Sequence, residues 1–560
     1  MFGQRLYTAG RATTHQLRFS THTPQTHVFS RRMVSDTLRK RPVAGATGQQ
    51  RAQSTDAGKG NKVDGDTSKK NETGSKRSLT FAIGGVLTLL GVAGYTFMRQ
   101  PRIDIHGPDV PSSTATASQT TLAALESVAT KRDDARKRLD GLASKERREE
   151  AKRLGLLTSD EVDAILEAHE RSWYVSTGSG APRLRVDTNQ VSSNAPIEDY
   201  LAWSPLASTQ FMFGVFDGHA GYMCAEQLST RLAPMLSESL KAVDKLIAKD
   251  GDKLIANDGD KDLAPTDVGG TALKLRREAP GIAWDRVPLA LTATFVRMDH
   301  ELVTDSLAEF QRTRDAATVD ALLGPAVSGS CGLVAVVDTE ANEVVVANTG
   351  DSRALLGVRL GDGRWKAVRL SEDQTADNAN ETARMTREHP NETSVIHRGR
   401  VLGGLMPTRA FGDCRYKWPL DAQRDLFPTL YERGHRYATT PPNYTTPPYV
   451  TARPVIVRHK LGPNDKFVVV ATDGLYDQLS DDEVVGSLGQ WYDARSAGME
   501  GNSLTTQDEN AATHLVRAAL STDRLGRRDD TVIRRLLAIP PPHSRRFRDD
   551  ISVQIITLNQ

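Results

Sequence analysis

The chain has 560 residues, 38% hydrophobic and 25% charged, with 72 Lys plus Arg against 70 Asp plus Glu for a net charge of +2. That length exceeds what one hydrophobic core usually holds, and so balanced a charge argues against a nucleic-acid binder, whose domain would be markedly basic. The three cysteines, Cys224, Cys331 and Cys414, form no CxxC pair, which argues against a disulfide scaffold and a cysteine-ligated zinc site.

Residues 1–50 carry seven arginines (Arg5, Arg11, Arg18, Arg31, Arg32, Arg39, Arg41), one lysine and a single acid, Asp36. An Arg-rich, acid-poor, Ser/Thr-containing start reads as an organelle transit peptide. Residues 51–77 are polar and rich in Gly, Ser and Lys, a linker that cannot bury a core. Ser78 to Met98 then holds no charge and no proline, between Lys76-Arg77 and Arg99. At about 1.5 Å per residue this segment can cross a hydrocarbon layer of about 30 Å, and it is predicted to be one transmembrane helix. Residues 99–155 follow as a charged helical spacer, whose run KRDDARKRLDGLASKERREEAKR reads as a solvated helix face. In LTSDEVDAILEAHE, Thr158 stands three residues before Glu161, with Val162, Ile165 and Leu166 at helical spacing. A capped helix is expected there, opening a folded domain over 156–560. Beyond about residue 185, short β-branched runs alternate with helical stretches, so that domain is expected to be mixed α and β. Within it DKLIAKDG (244–251) recurs as DKLIANDG (252–259). The repeat lacks the ligand spacing and closing Glu of a calcium loop and reads as a duplicated surface loop.

The chemistry lies in apolar runs that meet an aspartate at one end. FMFGVF runs into Asp217, then Gly218 and His219; EVVVANTG runs into Asp351; KFVVVAT runs into Asp473, with Asp477 four residues on. Asp549 and Asp550 immediately precede ISVQIITL. In antiparallel sheets the end of one strand lies beside the start of its neighbour, so these carboxylates can gather at one edge. Clustered carboxylates repel unless a cation sits among them, and an all-oxygen donor set favours Mg²⁺ or Mn²⁺ over zinc. Any single Asp here could be an ordinary strand-end turn former; the set as a whole, with its Asp-Gly-His triplet, reads as a metal site.

FGVFDGHAG, SGSCGLVAVVD, VANTGDSRALLG, TRAFGD, VVVATDGLYD and RDDISV occur in an order that resembles the type 2C metal-dependent protein serine/threonine phosphatases. The resemblance spans roughly Leu157 to Leu558. LTSDEVDAILEAHE, DTNQVSSNAPIED, LMPTRAFGDCRYKW, NAATHLVRAAL and PPNYTTPPYVTARP are similar, more narrowly, to the mitochondrial pyruvate dehydrogenase phosphatases and their fungal relatives.

The resemblance implies an α+β fold, an antiparallel β-sandwich flanked by helices, with two Mg²⁺ or Mn²⁺ ions at one end of the sheets. It implies that Asp217 bridges both ions, that the Gly218 carbonyl joins one, and that Asp473 and Asp549 hold the other. Glu198 would reach a metal-held water with Asp199 beside it, and Asp351 and Asp477 match positions of a further, weaker ion. Asn194 stands where most of the family has a phosphate-contacting arginine, and it is carried over as a substrate contact. His219 is the candidate general acid for the leaving seryl oxygen, in an attack by water that needs no phospho-enzyme. No cysteine lies in the Cys-x5-Arg loop of thiol phosphatases, and Asp529-Asp530 is a decoy for Asp549-Asp550 because no long apolar strand follows it. The implied substrates are phosphoserine and phosphothreonine proteins, the pyruvate dehydrogenase complex first among them. A transit peptide followed by a span places the chain in the mitochondrial inner membrane, its catalytic domain in the intermembrane space or the matrix. An inactive binding module would require lost ligand positions, and each principal one here is still Asp, Glu or Gly.

Overall fold

The computed structural model describes residues 118–176, 182–248, 285–498, 508–523 and 526–558, all within one compact unit, Val92–Gln560. The transit segment, the linker, the apolar stretch Ser78–Met98 and most of the DKLIA repeat lie outside the described residues. No helix among the described residues is long and apolar enough to cross a membrane.

The strands, in chain order, are β1 (Arg171–Ser176), β2 (Pro182–Val191), β3 (Tyr200–Pro205), β4 (Gln210–His219), β5 (Gly329–Asp338), β6 (Glu343–Thr349), β7 (Arg353–Arg359), β8 (Trp365–Arg369), β9 (Ile396–His397), β10 (Arg400–Val401), β11 (Phe411–Gly412), β12 (Val455–Lys460), β13 (Asp465–Ala471) and β14 (Ile551–Leu558). Among the described residues they make two six-stranded sheets and a small two-stranded one, β9-β10. The first runs β1-β2-β14-β13-β7-β8; the second runs β12-β6-β5-β4-β3, with β11 pairing β5. Neighbouring strands in both are antiparallel.

Strand alternation explains the layering. In β4, Phe213 and Val215 point between the sheets, where they join Leu333, Ala335, Val346, Leu356, Val468, Val470 and Ile556. Met212 and Phe216, on the other face, pack with two helices, α3 (Met223–Ala248) and α4 (Arg286–His300). On the outside of the first sheet, Val469, Ala471, Val553 and Ile555 pack under α2 (Ser159–Glu167), α5 (Asp481–Ser496), α6 (Ala511–Ser521) and α7 (Asp530–Ala538). Residues one apart thus serve two different cores, as the period of two requires. The result is four layers, helix-sheet-sheet-helix, as expected of the sandwich. Gln554 ties the two sheets: its buried Nε2 donates to the Gly214 carbonyl at 2.6 Å and the Ala202 carbonyl at 3.2 Å. Phe213 is fully buried in the central layer. Phe213→Ala should cost about 3–5 kcal/mol, read as a lower denaturant midpoint at unchanged slope.

Two helix starts match their sequence signals. Thr158 Oγ1 accepts from the Glu161 N–H at 3.2 Å, and a Glu161 carboxylate oxygen accepts from the Thr158 N–H at 2.8 Å. Asn510 caps α6 through the N–H groups of Ala512 and Thr513. The decoy Asp529 is itself a helix cap, accepting from the Thr531 N–H at 2.8 Å.

One region differs from expectation. The charged run is no free spacer, because α1 (Gln119–Leu139) packs against the domain. Leu139 and Ala135 join Ala151, Leu154 and Ile539 in a small core on which Phe547 rests. The charges that suggested a solvated face make specific bonds: Lys131 pairs with Glu161 at 2.6 Å, Arg132 donates to the Leu537 carbonyl, and Asp140 meets His543 at 2.9 Å. The folded region therefore begins by Gln119, ahead of residue 156. The Pro-rich segment PPNYTTPPYVTARP also packs against the domain. It forms no strand within either sheet, but Tyr444 and Tyr449 turn inward against Met385, Val401 and Tyr416. Tyr449 Oη accepts from the Thr445 and Thr446 N–H groups and donates to Glu392, so the segment packs a subdomain core.

Candidate active site

The aspartates gather at one end of the sandwich because their strands do. Asp217 lies in β4 opposite Cys331 of β5, Asp351 precedes β7, and Asp473 follows β13 by one residue. Oxygens of Asp217, Asp351 and Asp473 all lie within 4.8 Å of one another. All three side chains are partly buried, and desolvation pushes each carboxyl up, opposed at Asp351 by the Cys331 hydrogen bond and the His219 charge. For Asp217 and Asp473 the rise is large: desolvation comes first, then Asp473 for the former and Asp351 for the latter. Asp549 is pushed up to about 6 by desolvation, with Arg545 opposing. Carboxyls held this close and this high fit a hard divalent cation, which would relieve the repulsion and accept their oxygens.

Two glycines let the backbone approach the cluster. A Cβ on Gly218 would lie 2.3 Å from the Glu198 carbonyl oxygen, and one on Gly474 would lie 1.9 Å from that of Asp550. Any larger residue would force β4 off the Glu198 loop, or the Asp473 turn off the start of β14.

The remaining expected residues fall into distinct places. Asp351, ranked by the resemblance below Asp549, is within the tight trio, and its Oδ1 accepts from the Cys331 thiol at 3.1 Å. Asp549 lies beyond the trio and is ion-paired with Arg545 at 2.8 Å. Asp477 is exposed, its N–H bonded to the Asp473 carbonyl, and its charge adds to the repulsion on Asp473. Glu198 accepts from the Gly221 N–H at 2.8 Å, and its carboxyl is raised by desolvation and then by Asp550. Asp199 is buried behind the cluster, held by the Thr472 hydroxyl at 2.8 Å. Asn194 is tied to the loop: one N–H of its Nδ2 donates to Asp550 at 3.0 Å, and its amide carries no charge to offer a phosphate.

Three residues that sequence reasoning missed complete the site. Asp413, at the end of TRAFGD, meets His219 Nε2 at 2.7 Å. Desolvation lowers the His219 pKa, but the Asp413 charge and hydrogen bond outweigh it and hold it above the ordinary value. Asp413 has a left-handed backbone (φ 52°), and its N–H bonds to the Ser328 carbonyl, which aims the carboxylate at the ring. Asp550, next to the expected Asp549, points the other way and organises the Ser193–Glu198 loop through the N–H groups of Ser193, Asn194 and Glu198. Arg545 is the third. The cysteines are buried, with thiols pushed well up by desolvation, which leaves them protonated and without a nucleophile's role.

A carboxylate cluster fit for divalent cations at the end of an antiparallel sandwich, with a carboxylate-oriented histidine beside it, is the equipment of a metal-dependent phosphomonoester hydrolase. The sequence model of the family described as protein phosphatase 2C matches residues 273–524. The chain belongs to that family, the metal-dependent protein serine/threonine phosphatases. Within it the likeness is to the pyruvate dehydrogenase branch. The chain is 34% identical to mitochondrial pyruvate dehydrogenase (acetyl-transferring) phosphatase 1 of Bos taurus, over 72% of this chain and 83% of that protein. It is 32% identical to phosphatase 2 of Homo sapiens, over 72% and 84%, and 31% identical to phosphatase 1 of Saccharomyces cerevisiae, over 71% and 73%.

Proposed function

We propose that this phosphatase removes phosphate from serine on the alpha subunit of mitochondrial pyruvate dehydrogenase, which would restore flux through that complex. The observation that carries the reading is the 34% identity over most of a mammalian enzyme named for that substrate, together with a complete acidic cluster. Loss of the protein should raise alpha-subunit phosphorylation and lower complex activity in isolated mitochondria. Unchanged phosphorylation there, beside intact phosphatase activity in vitro, would leave the family standing and sink the substrate.

In this reading Asp217, the Gly218 carbonyl, Asp473 and Asp549 hold two Mg²⁺ or Mn²⁺ ions, with Asp351 and Asp477 offered to a third. Glu198 and Asp199 form the acidic flank. Bound there, such ions lower the pKa of a water and draw charge from the phosphoryl group. His219 does the proton work: kept cationic by Asp413, it donates to the departing seryl oxygen. A good leaving group such as nitrophenolate departs unaided. His219→Ala should therefore depress phosphopeptide hydrolysis by about 10²–10⁴-fold and nitrophenyl phosphate hydrolysis much less. Equal losses on both substrates would make the histidine structural.

The transit segment and the apolar stretch Ser78–Met98 motivate placement in the mitochondrial inner membrane by a single span. Arrest of the chain there leaves the catalytic domain in the intermembrane space, away from a matrix complex. Protease treatment of mitoplasts decides: digestion of the domain supports that orientation and redirects the substrate search to other phosphoproteins, and resistance places it in the matrix.

A further inference from the structure

The turn that leads into β14 carries three arginines with three different fates. Arg548 is buried and spends its guanidinium on main-chain carbonyls, Ser192 at 2.5 Å and Val191 at 3.4 Å. Arg546 faces away and bonds Ser144 Oγ at 2.5 Å. Arg545 alone of the three turns to the acidic cluster, pairing with Asp549 at 2.8 Å while its side chain stays 49% exposed. The backbone beneath it is fixed from both sides: His543 is held by Asp140, Ser544 Oγ donates to the Ser193 carbonyl at 2.8 Å, and Phe547 rests on the Leu139 core. Arg545 is thus an open guanidinium on a rigid turn at the lip of a metal site. The attraction of Asp549, Asp473, Asp550 and Asp217 holds its charge firmly against the desolvation that works the other way.

We propose that Arg545 is a substrate-phosphate contact of this enzyme, supplying the charged fork of donors that Asn194 lacks. The argument is one of charge. In the protein without cations, Arg545 neutralises part of a crowded set of carboxylates. Once divalent ions occupy those carboxylates, much of the negative charge that holds the guanidinium at Asp549 is offset. Its fork of donors then matches the next anion to arrive, a phosphoryl group carrying oxygens in the spacing that arginine binds. Metal loading and phosphate binding are thereby coupled through one side chain, which passes from Asp549 to the substrate. The inference rests on the phosphatase reading of the site, not on the identity of the protein substrate.

The test is Arg545→Gln, with Arg545→Lys and Arg546→Gln beside it, each first checked for an unchanged melting temperature. Mg²⁺-loaded protein is titrated calorimetrically with inorganic phosphate, and KM and kcat are measured on a phosphoserine peptide. Arg545→Gln should weaken phosphate binding and raise KM about tenfold or more, with a smaller change in kcat. Lysine, a point charge without the fork, should recover only part, and Arg546→Gln should match the wild type. Mg²⁺ affinity of Arg545→Gln should be equal or tighter, because a competitor for Asp549 is gone. Unchanged phosphate affinity and KM would overturn the proposal, as would a loss that extra Mg²⁺ fully repairs, which would make Arg545 a metal-site brace. A wild type that binds phosphate but hydrolyses no phosphopeptide would instead count against the phosphatase reading.

Discussion

Asp217→Asn is expected to abolish turnover while leaving the protein folded and, without metal, more stable than before. Asp217 stands at the centre of the acidic set, with oxygens near both Asp351 and Asp473. Losing one carboxylate from a site that supplies several kcal/mol of transition-state stabilisation should reduce kcat at least about a thousandfold. The stability sign follows from the carboxyl's raised pKa. A group held above its ordinary range stabilises the fold fully only at pH below that range, and that contribution is lost as pH rises. At neutral pH the metal-free wild type therefore carries a penalty that Asn removes. The check is turnover with saturating Mn²⁺, paired with a thermal melt in EDTA. Near-normal metal-dependent activity, or a lower melting temperature in EDTA, would contradict the assignment.

Asp550→Ala should act the opposite way, through structure. The buried carboxylate accepts from the N–H groups of Ser193, Asn194 and Glu198 and from the Asn194 amide. Alanine orphans all four donors, at a cost of about 3–5 kcal/mol in stability. Asparagine does little better, since its own NH₂ would face donors. Glu198 and the adjoining Asp549 would lose their positions, so activity and Mg²⁺ affinity should each fall roughly 10–100-fold. Equilibrium unfolding and Mg²⁺ titration measure the two effects. A variant as stable as the wild type would show that the loop is held by other means.

Asp217, Asp351 and Asp473 were legible because alternation and strand ends are local: each apolar run delivers its terminal residue to the edge of a sheet. The capped helix at Thr158 was legible for the same reason. The pairing of His219 with Asp413 was not, since 194 residues separate them and the carboxylate is aimed by a left-handed backbone that no pattern announces. The neighbours Asp549 and Asp550 are identical in type, and only their placement ahead of β14 decides which meets Arg545 and which holds the Ser193–Glu198 loop. The α1 helix misled because its buried stripe is thin, Val128, Ala135 and Leu139, and its many charges bond to partners some four hundred residues away.

The last strand of the chain, β14, is also an interior strand, bonded on one side to β2 and on the other to β13. Without it, β2 and β13 each expose an edge, and Asp550, just ahead of it, is not anchored under the Ser193–Glu198 loop. Domains of this kind finish folding only when their long-range pairings are available, and β14 pairs with β2 across most of the domain's length. The same step brings in Asp549 and Arg545. A chain in which β14 has not docked is therefore an incomplete catalyst, however well its other strands have paired.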